Sequence, residues 1–385
     1  MSSYKGKRVT VIGCARSGAA AAALLRRLGA QVFVTDSGSS AQVQERLKTL
    51  AAAGIKGECG GHTPAALEGA ELAVLSPGVA PDAPPVLWAR SRGVDVISEI
   101  ELAASVCRAP IVAVTGTNGK TTTTTLIGLV ARAAGRRTRI LGNIGAPFSE
   151  EADALGPEDL VSLEVSSFQL EAIRTFRPRV AVVLNLTPDH LDRYADASFY
   201  LAAKKRITLN QGPQDWLVLN YGDAALRPLA GETRARVVFF NQDPAEKRFN
   251  ENQMAVLAVA RCLDIPAAVC EEVFARFGGV EHRLEFVRCV RGVDFINDSK
   301  ATNIDSTVWA LKNVAKPVVL IVGGRDKGSD FTRLVELVRA KATAAVVVGE
   351  AAGRIEEAWK GVLPLARARD LAGAVEAAFA RARAG

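Results

Sequence analysis

Histidine is nearly missing from this chain of 385 residues, which holds three, and methionine is rarer still with two. Aromatic residues make up only 6%, and no basic block alternates with them. That disfavours a stacking surface for bases, and no nucleic-acid partner is expected. No apolar run approaches the roughly 20 residues that a helix needs to cross a bilayer, and no membrane insertion is expected. Met1 to Arg8 run directly into a strand-like segment, without the pattern of a cleaved signal peptide. The six cysteines (Cys14, Cys59, Cys107, Cys262, Cys270 and Cys289) are scattered and form no CxxC pair. They read as incidental or buried thiols of a reducing compartment, and a cytoplasmic location is expected.

What is present is ordinary for a soluble globular protein: 49% hydrophobic and 23% charged residues. The length exceeds one compact core and predicts two or three domains. A net charge of +7 suits an anionic partner. With few aromatics available, small phosphorylated ligands are favoured.

The chain is organised around Ile111 to Thr122. A short β-branched run stops at Gly116-Thr117-Asn118-Gly119, and Lys120 and five threonines then lead into the apolar stretch Leu126 to Ala134. That is a strand, a tight loop and a helix start, which gathers backbone N–H groups and a partial positive charge at one spot. Lys120 is placed to reach the outer phosphates of a nucleotide, and the Thr121 hydroxyl to hold Mg²⁺. The usual phosphate-loop pattern has a glycine where Val114 stands. ATP or GTP binding is the expectation.

Ahead of this loop, Val9 to Gly13 and Gln31 to Asp36 read as strands around a helix from Ala19 to Leu28. This is the β-α-β layout of a dinucleotide-binding fold, with Asp36 where a ribose hydroxyl would be met. The middle glycine of the fingerprint is Ala15, which disfavours NAD and leaves room for a nucleotide-sugar diphosphate. Leu72 to Leu75 and Val94 to Glu99 are further strands, so Ser76 and Gly78 are candidate contacts at a strand end. His62, in a Gly-Gly-His-Thr-Pro turn, is read as structural.

Beyond the loop, Gly142-Asn143-Ile144-Gly145 forms a turn that presents Asn143. Asp159 to Glu164 is read as an alternating strand, and Glu164 at its end is a candidate Mg²⁺ ligand. Val180 to Asn185 is a buried strand leading to Asp189, His190 and Asp192. Ala202 to Ile207 reads as a basic helix with a solvated cationic face. Asn250 and Asn252 open the helix from Met254 to Leu263, where they would cap it or face a purine edge. In the last segment, Phe295 to Asn303 and Val318 to Gly328 are strands whose ends carry charged and polar groups. With Ala344 to Val348 they make another parallel α/β unit.

Four of these motifs together resemble the Mur ligase family of bacterial cell-wall synthesis, along almost the whole chain. They are Thr115 to Thr121, Asn185 to Asp192 (running on to Tyr194), Asn297 to Asn303 and Glu164 to Leu170. The resemblance implies an α/β protein of three domains. Residues 1–95 would form a Rossmann-like domain for a UDP-sugar, and 96–279 a central phosphate-loop domain for ATP. Residues 280–385 would form a Rossmann-like domain for the amino acid and part of the ATP.

The resemblance also implies an ATP- and Mg²⁺-dependent ligase, expected as a monomer. It would join D-glutamate to UDP-N-acetylmuramoyl-L-alanine through an acyl phosphate in peptidoglycan precursor synthesis. By position, Arg16, Ser17, Asp36 and Ser37 would meet the uridine diphosphate. Ser76, Gly78, Asn143, Ser166 and Gln169 would lie near the rest of that substrate. Gly116, Thr117, Asn118, Gly119, Lys120, Thr121 and Thr122 would cradle ATP. Asn250 or Asn252 would meet adenine, Arg283 the phosphates and Asp298 the ribose. Thr121, Glu164, His190 and a carbamylated Lys204 would hold Mg²⁺, with Lys205 the neighbouring alternative. Lys120, His190 and Lys204 are thus the catalytic candidates, and Lys300, Thr302 and Lys327 would hold D-glutamate.

Two departures from the family pattern stand out. Asn250 and Asn252 are two residues apart where the family has three. The family also continues past Arg381–Gly385 into a strand and a Ser-Pro-Ala-type loop, so the last domain is expected to be incomplete. The alternatives are a nucleotide- and UDP-sugar-binding relative with impaired catalysis, or a ligase for another amino acid of the folylpolyglutamate type.

Overall fold

The computed structural model describes residues 4–187, 189, 194, 197–326 and 328–384. It divides into two compact units, Met1–Leu186 with Tyr200–Phe277 and Thr187–Phe199 with Gly278–Gly385.

The first unit holds two parallel sheets. One contains β1 (Arg8–Ile12), β2 (Gln31–Asp36), β3 (Lys56–Cys59), β4 (Leu72–Leu75) and β5 (Asp95–Ser98), in the order β3-β2-β1-β4-β5. Val9 and Val11 pack with Leu24 and Leu25 on one face, while Ile12 packs with Ala73, Leu75 and Val86 on the other. Both faces are covered, which is why β1 reads as an apolar run rather than an alternation. The strand order reverses beside β1, so the crevice between the carboxyl ends of β1 and β4 is the expected ligand site.

The other sheet contains β6 (Ile111–Thr115), β7 (Arg137–Gly142), β8 (Asp159–Glu164), β9 (Val180–Val183), β10 (Trp216–Asn220) and β11 (Arg236–Phe240). Its order, β11-β10-β9-β6-β8-β7, puts the reversal beside β6, where the Gly-Thr-Asn-Gly loop begins. Sequence reading found β6, β8 and β9 and passed over β7, β10 and β11. It also took β8 as alternating, whereas all six of its residues are buried. The polar ones have partners: Ser162 Oγ donates to the Thr124 carbonyl at 2.8 Å, and Asp159 takes Arg137 Nε at 2.9 Å.

Two buried carboxylates join the helix Glu99–Ala104 to segments that flank the second sheet. Glu99 Oε1 accepts from the Ser149 amide at 2.7 Å and its hydroxyl at 2.5 Å. Glu101 accepts the amides of Arg174, Thr175 and Phe176 at 2.7–2.9 Å. Cys14 and Cys270 are buried thiols, each pushed up to about 11 chiefly by burial, while Cys59 and Cys289 are exposed.

The second unit holds an antiparallel pair, β12 (Glu285–Val290) and β13 (Val293–Asn297), with Phe286 opposite Ile296. The expected strand at Phe295 is therefore half of a hairpin rather than part of the parallel sheet. That sheet consists of β14 (Val318–Gly323), β15 (Ala342–Val348) and β16 (Leu365–Arg367), in sequence order. Its core centres on Trp359, fully buried with Val338, Val347 and Ile355, and its indole Nε1 donates to the Phe331 carbonyl at 3.0 Å.

Candidate active site

The loop after β6 is held by Asn185. Its Oδ1 accepts the amides of Thr117 at 3.1 Å and Asn118 at 2.8 Å, and its Nδ2 returns to the Asn118 carbonyl at 3.1 Å. Two of the amides expected to face phosphate are thus engaged by a side chain. The first turn of the helix Lys120–Ala133 supplies what remains, because its N–H groups have no intrahelical acceptor. Gly119 sits at φ +81, and a Cβ there would lie 2.3 Å from Asn252 Oδ1. Only glycine fits that approach.

Asn252 Oδ1 also accepts from the buried Thr123 hydroxyl at 3.3 Å, so this side chain lies against the loop. Asn250 has a different task. Its Oδ1 accepts the Gln253 amide at 3.0 Å while Gln253 Oε1 accepts the Asn250 amide at 3.0 Å, a reciprocal cap for the helix Glu251–Cys262. Of the two roles left open for these residues, Asn250 takes the cap.

Lys120 Nζ donates to the carbonyls of Gly116 at 3.0 Å and Thr117 at 2.9 Å. Lys204 reaches the same Gly116 oxygen at 2.8 Å from the helix Ala197–Lys205. Its side chain is buried, and its amine lies 4.4 Å from the centre of the Tyr200 ring. The solvated cationic face expected here is therefore wrong for Lys204, because this residue points inward. Lys205 instead pairs with Glu232 at 3.1 Å. Tyr200 itself donates from its hydroxyl to Thr117 Oγ1 at 3.4 Å. Pattern reading missed Tyr200; its place one helical turn before Lys204 was the available signal.

Glu164 ends β8, directly opposite Val114 of β6. By the period of two it shares a sheet face with Ser162, which bonds the phosphate-loop helix. Glu164 Oε1 accepts from Asn143 Nδ2 at 2.8 Å. Its Oε2 is buried and has no hydrogen-bond partner among the described residues. A buried carboxylate oxygen left open in this way suits a hard divalent cation such as Mg²⁺. No group of three or more His, Cys, Asp or Glu side chains gathers for a metal among the described residues. Water and phosphate oxygens would complete such a shell. His190 lies outside the described residues.

Ser166 and Gln169 form a reciprocal cap on the helix Ser167–Leu170, with the Ser166 amide 2.9 Å from Gln169 Oε1. Gln169 is buried, and its carbonyl oxygen is committed to that cap.

At the first sheet's crevice, Gly13 has φ +93, and a Cβ on Gly18 would fall 1.8 Å from the Gly13 carbonyl oxygen. Both glycines are required by this turn, even though the fingerprint's middle position is Ala15. The helix Arg16–Arg27 starts here without a side-chain cap, leaving its first amides open to an anion. Arg16 donates to the Gly145 carbonyl, beside Asn143. Ser17 is half-buried and Ser37 exposed at the same edge. Asp36 is held by the Cys14 amide at 2.5 Å and the Gly38 amide at 2.7 Å. Ser76 is buried next to Gly13, and Gly78 is exposed with open space around it. His62 Nδ1 lies 2.8 Å from Thr35 Oγ1, which donates to Glu58 Oε1 at 2.8 Å.

In the second unit, Asp298 Oδ1 accepts the Leu284 amide at 3.0 Å. Burial raises its pKa above the usual carboxylate value, against the lowering effects of that bond and of Arg283. The Lys300 amide donates to the His282 carbonyl at 3.1 Å, Thr302 is exposed, and Lys327 lies outside the described residues. Asn303 caps the helix Ile304–Asn313, and its Nδ2 reaches the largely buried Asp189 carboxylate at 3.0 Å. That pair joins two of the sequence motifs.

Comparison with known proteins agrees along the chain. Residues 7–98 match the model for the N-terminal domain of MurD-like Mur ligases, 114–264 the Mur ligase middle domain, and 282–385 the Mur ligase glutamate ligase domain. A UDP-N-acetylmuramoylalanine–D-glutamate ligase from Pelotomaculum thermopropionicum is 43% identical, over 92% of this chain and 85% of its own length. One of the same name from Koribacter versatilis is 40% identical, over 98% and 90%. The crystal structure of a MurF ligase from Thermotoga maritima in complex with ADP shares the fold, with a TM-score of 0.61 at 15% identity, over 92% of this chain and 89% of that one.

Proposed function

This chain belongs to the Mur ligase family, and on that premise we propose that it joins D-glutamate to UDP-N-acetylmuramoyl-L-alanine with hydrolysis of ATP to ADP and phosphate. The observation that carries the reading is the phosphate loop gripped by two lysine amines on one carbonyl oxygen. Relatives named for that reaction share about two fifths of its residues.

The substrate carboxylate attacks the γ-phosphorus and ADP leaves, giving an acyl phosphate. The amine of D-glutamate then attacks the carbonyl carbon, phosphate leaves, and the amine proton passes to solvent. Lys120 and the first-turn amides offset charge on the transferring oxygens. Thr121, Glu164, His190 and a carbamylated Lys204 are the residues assigned to Mg²⁺. When bound, that ion would neutralise phosphate charge.

Arg16, Ser17, Asp36 and Ser37 are assigned to the uridine diphosphate, and Ser76, Gly78, Asn143, Ser166 and Gln169 to the rest of that substrate. Asn252 is assigned to adenine, Arg283 to the phosphates, Asp298 to the ribose, and Lys300, Thr302 and Lys327 to D-glutamate. The division into UDP-sugar (1–95), ATP (96–279) and amino-acid (280–385) domains belongs to the same proposal, as do a monomeric state and a cytoplasmic setting. No helix among the described residues is long and apolar enough to cross a membrane.

The test is phosphate release from ATP, Mg²⁺ and UDP-N-acetylmuramoyl-L-alanine, with and without D-glutamate. Strong stimulation with an amide product is expected. Binding of both nucleotides without release would instead mark a non-catalytic relative.

A further inference from the structure

The six-stranded sheet has a second opening, at the edge away from the phosphate loop. A cavity of about 200 Å³ lies there, lined by Ile111 at the start of β6, Thr175, Arg177, Arg179 and Asp215. Arg179 directly precedes β9 and Asp215 directly precedes β10. The phosphate loop follows Thr115, the last residue of β6, so the length of a five-residue strand, roughly 15 Å, separates the two places.

Two arginines here share one acid. Arg177 Nε donates to Asp215 Oδ2 at 2.7 Å, while Arg179 Nη1 donates to the Gln214 carbonyl and lies 3.7 Å from Asp215 Oδ1. Asp215 is buried and also takes the Gly212 amide at 2.8 Å. Both terminal nitrogens of Arg177, and Nε and Nη2 of Arg179, make no hydrogen bond among the described residues. Two further acids lie nearby: Asp159 is held by Arg137 at 2.9 Å and the Gly156 amide at 2.8 Å, and Glu101 is taken up by the amides of residues 174–176 and the Thr175 hydroxyl. The two arginines thus carry one charge more than Asp215, the one acid that lines the cavity, and four of their nitrogens stay open. Their backing is apolar, from Ala109, Pro110 and Ile111, which strengthens attraction for an anion.

The walls are also fixed in advance. Glu101 holds the backbone of residues 174–176 through three amides and the Thr175 hydroxyl. Preorganised donors of this kind reduce the ordering cost of binding.

We propose that this cavity binds a small dianion the size of phosphate or a short dicarboxylate. Its volume lies below the range of about 300–1,000 Å³ typical of sites for larger organic ligands, which excludes a nucleotide. The guanidinium forks supply the paired donors that carboxylate and phosphate oxygens take up.

The test is calorimetric titration of the full chain with phosphate, and separately with malonate, at constant ionic strength. A non-hydrolysable ATP analogue and Mg²⁺ are present at saturation so that the phosphate loop is filled up to the γ-phosphate position. One site per chain is expected, and the tighter of the two anions names the ligand's chemistry. Arg179→Gln should weaken binding about tenfold or more, with ADP affinity and melting temperature unchanged. Arg179→Lys, which keeps the charge without the fork, should fall between the two. Absence of saturable binding by either anion, or equal binding by Arg179→Gln, would overturn the proposal.

Discussion

The amine of Lys204 donates to the carbonyl oxygen of Gly116 across 2.8 Å, from a side chain with only 1% exposure. Lys120 approaches the same oxygen at 3.0 Å. Two ammonium groups on one acceptor repel each other, and either a triphosphate or conversion of one amine to a carbamate relieves that repulsion. Lys204→Met keeps much of the buried volume, so the fold should survive. Turnover should fall by about 100-fold or more, the scale of losing a preorganised charge at the transferring phosphoryl group. Bicarbonate should raise the activity of the wild type and leave Lys204→Met unchanged. Turnover of the variant within a few-fold of wild type would remove Lys204 from the site.

Asn185 sets the shape of the loop by accepting two consecutive amides with one oxygen. Asn185→Ala deletes both bonds and the return bond to Asn118. At about 1 kcal/mol each in net terms, ATP affinity should drop by about 10- to 100-fold. The role is positional, so the loss should fall on the Michaelis constant for ATP more than on the rate at saturation. Equal losses in both would mean that the side chain acts on the transition state itself.

The phosphate loop was legible because its signal is local: strand, glycines, lysine and hydroxyls fall within twelve residues. The parallel strands nearest it were legible for a related reason, since burial on both faces produces unbroken β-branched runs. β7, β10 and β11 were not: β7 and β11 are the two edge strands and begin with Arg137 and Arg236, and the apolar run of β10, Trp216–Asn220, is short and directly follows Asp215. Glu101 and Glu99 escaped attention because a carboxylate on a helix normally reads as solvated, and their partners lie 73 and 50 residues away. Composition alone makes Lys204 one of three solvated cations on a helix, and only the family motif singles it out. Asn250 and Asn252 look equivalent in sequence, and only the cap geometry separates them.

Glu164 gives a prediction about metal dependence. One oxygen is engaged by Asn143 at 2.8 Å, and the other is buried without a partner among the described residues. Glu164→Gln keeps an acceptor for Asn143 and replaces the open oxygen by an amide nitrogen, which cannot ligate Mg²⁺. The Mg²⁺ concentration for half-maximal activity should rise about tenfold or more. Thermal stability without Mg²⁺ should hold or increase, because an uncompensated buried charge has been removed. An unchanged Mg²⁺ titration would exclude Glu164 as a ligand.

Glu99 is fully buried beside Ser149, whose amide it accepts at 2.7 Å. Burial raises its pKa above the ordinary carboxylate value, and the two bonds from Ser149 offset this only in part. An acid whose folded pKa is raised holds its proton more tightly in the native state. Its contribution to stability is therefore largest at low pH and is lost as pH rises from the unfolded pKa, about 4.3, through the folded value. Glu99→Gln preserves the acceptor for Ser149 and removes the titration. The melting temperatures of variant and wild type should differ least at acidic pH, and the gap should open in the variant's favour as pH rises. Other titrating groups, such as the Arg27–Asp153 pair at 2.8 Å, move both proteins alike and cancel in the difference. A gap that stays constant with pH would show that Glu99 titrates alike in the folded and unfolded chains.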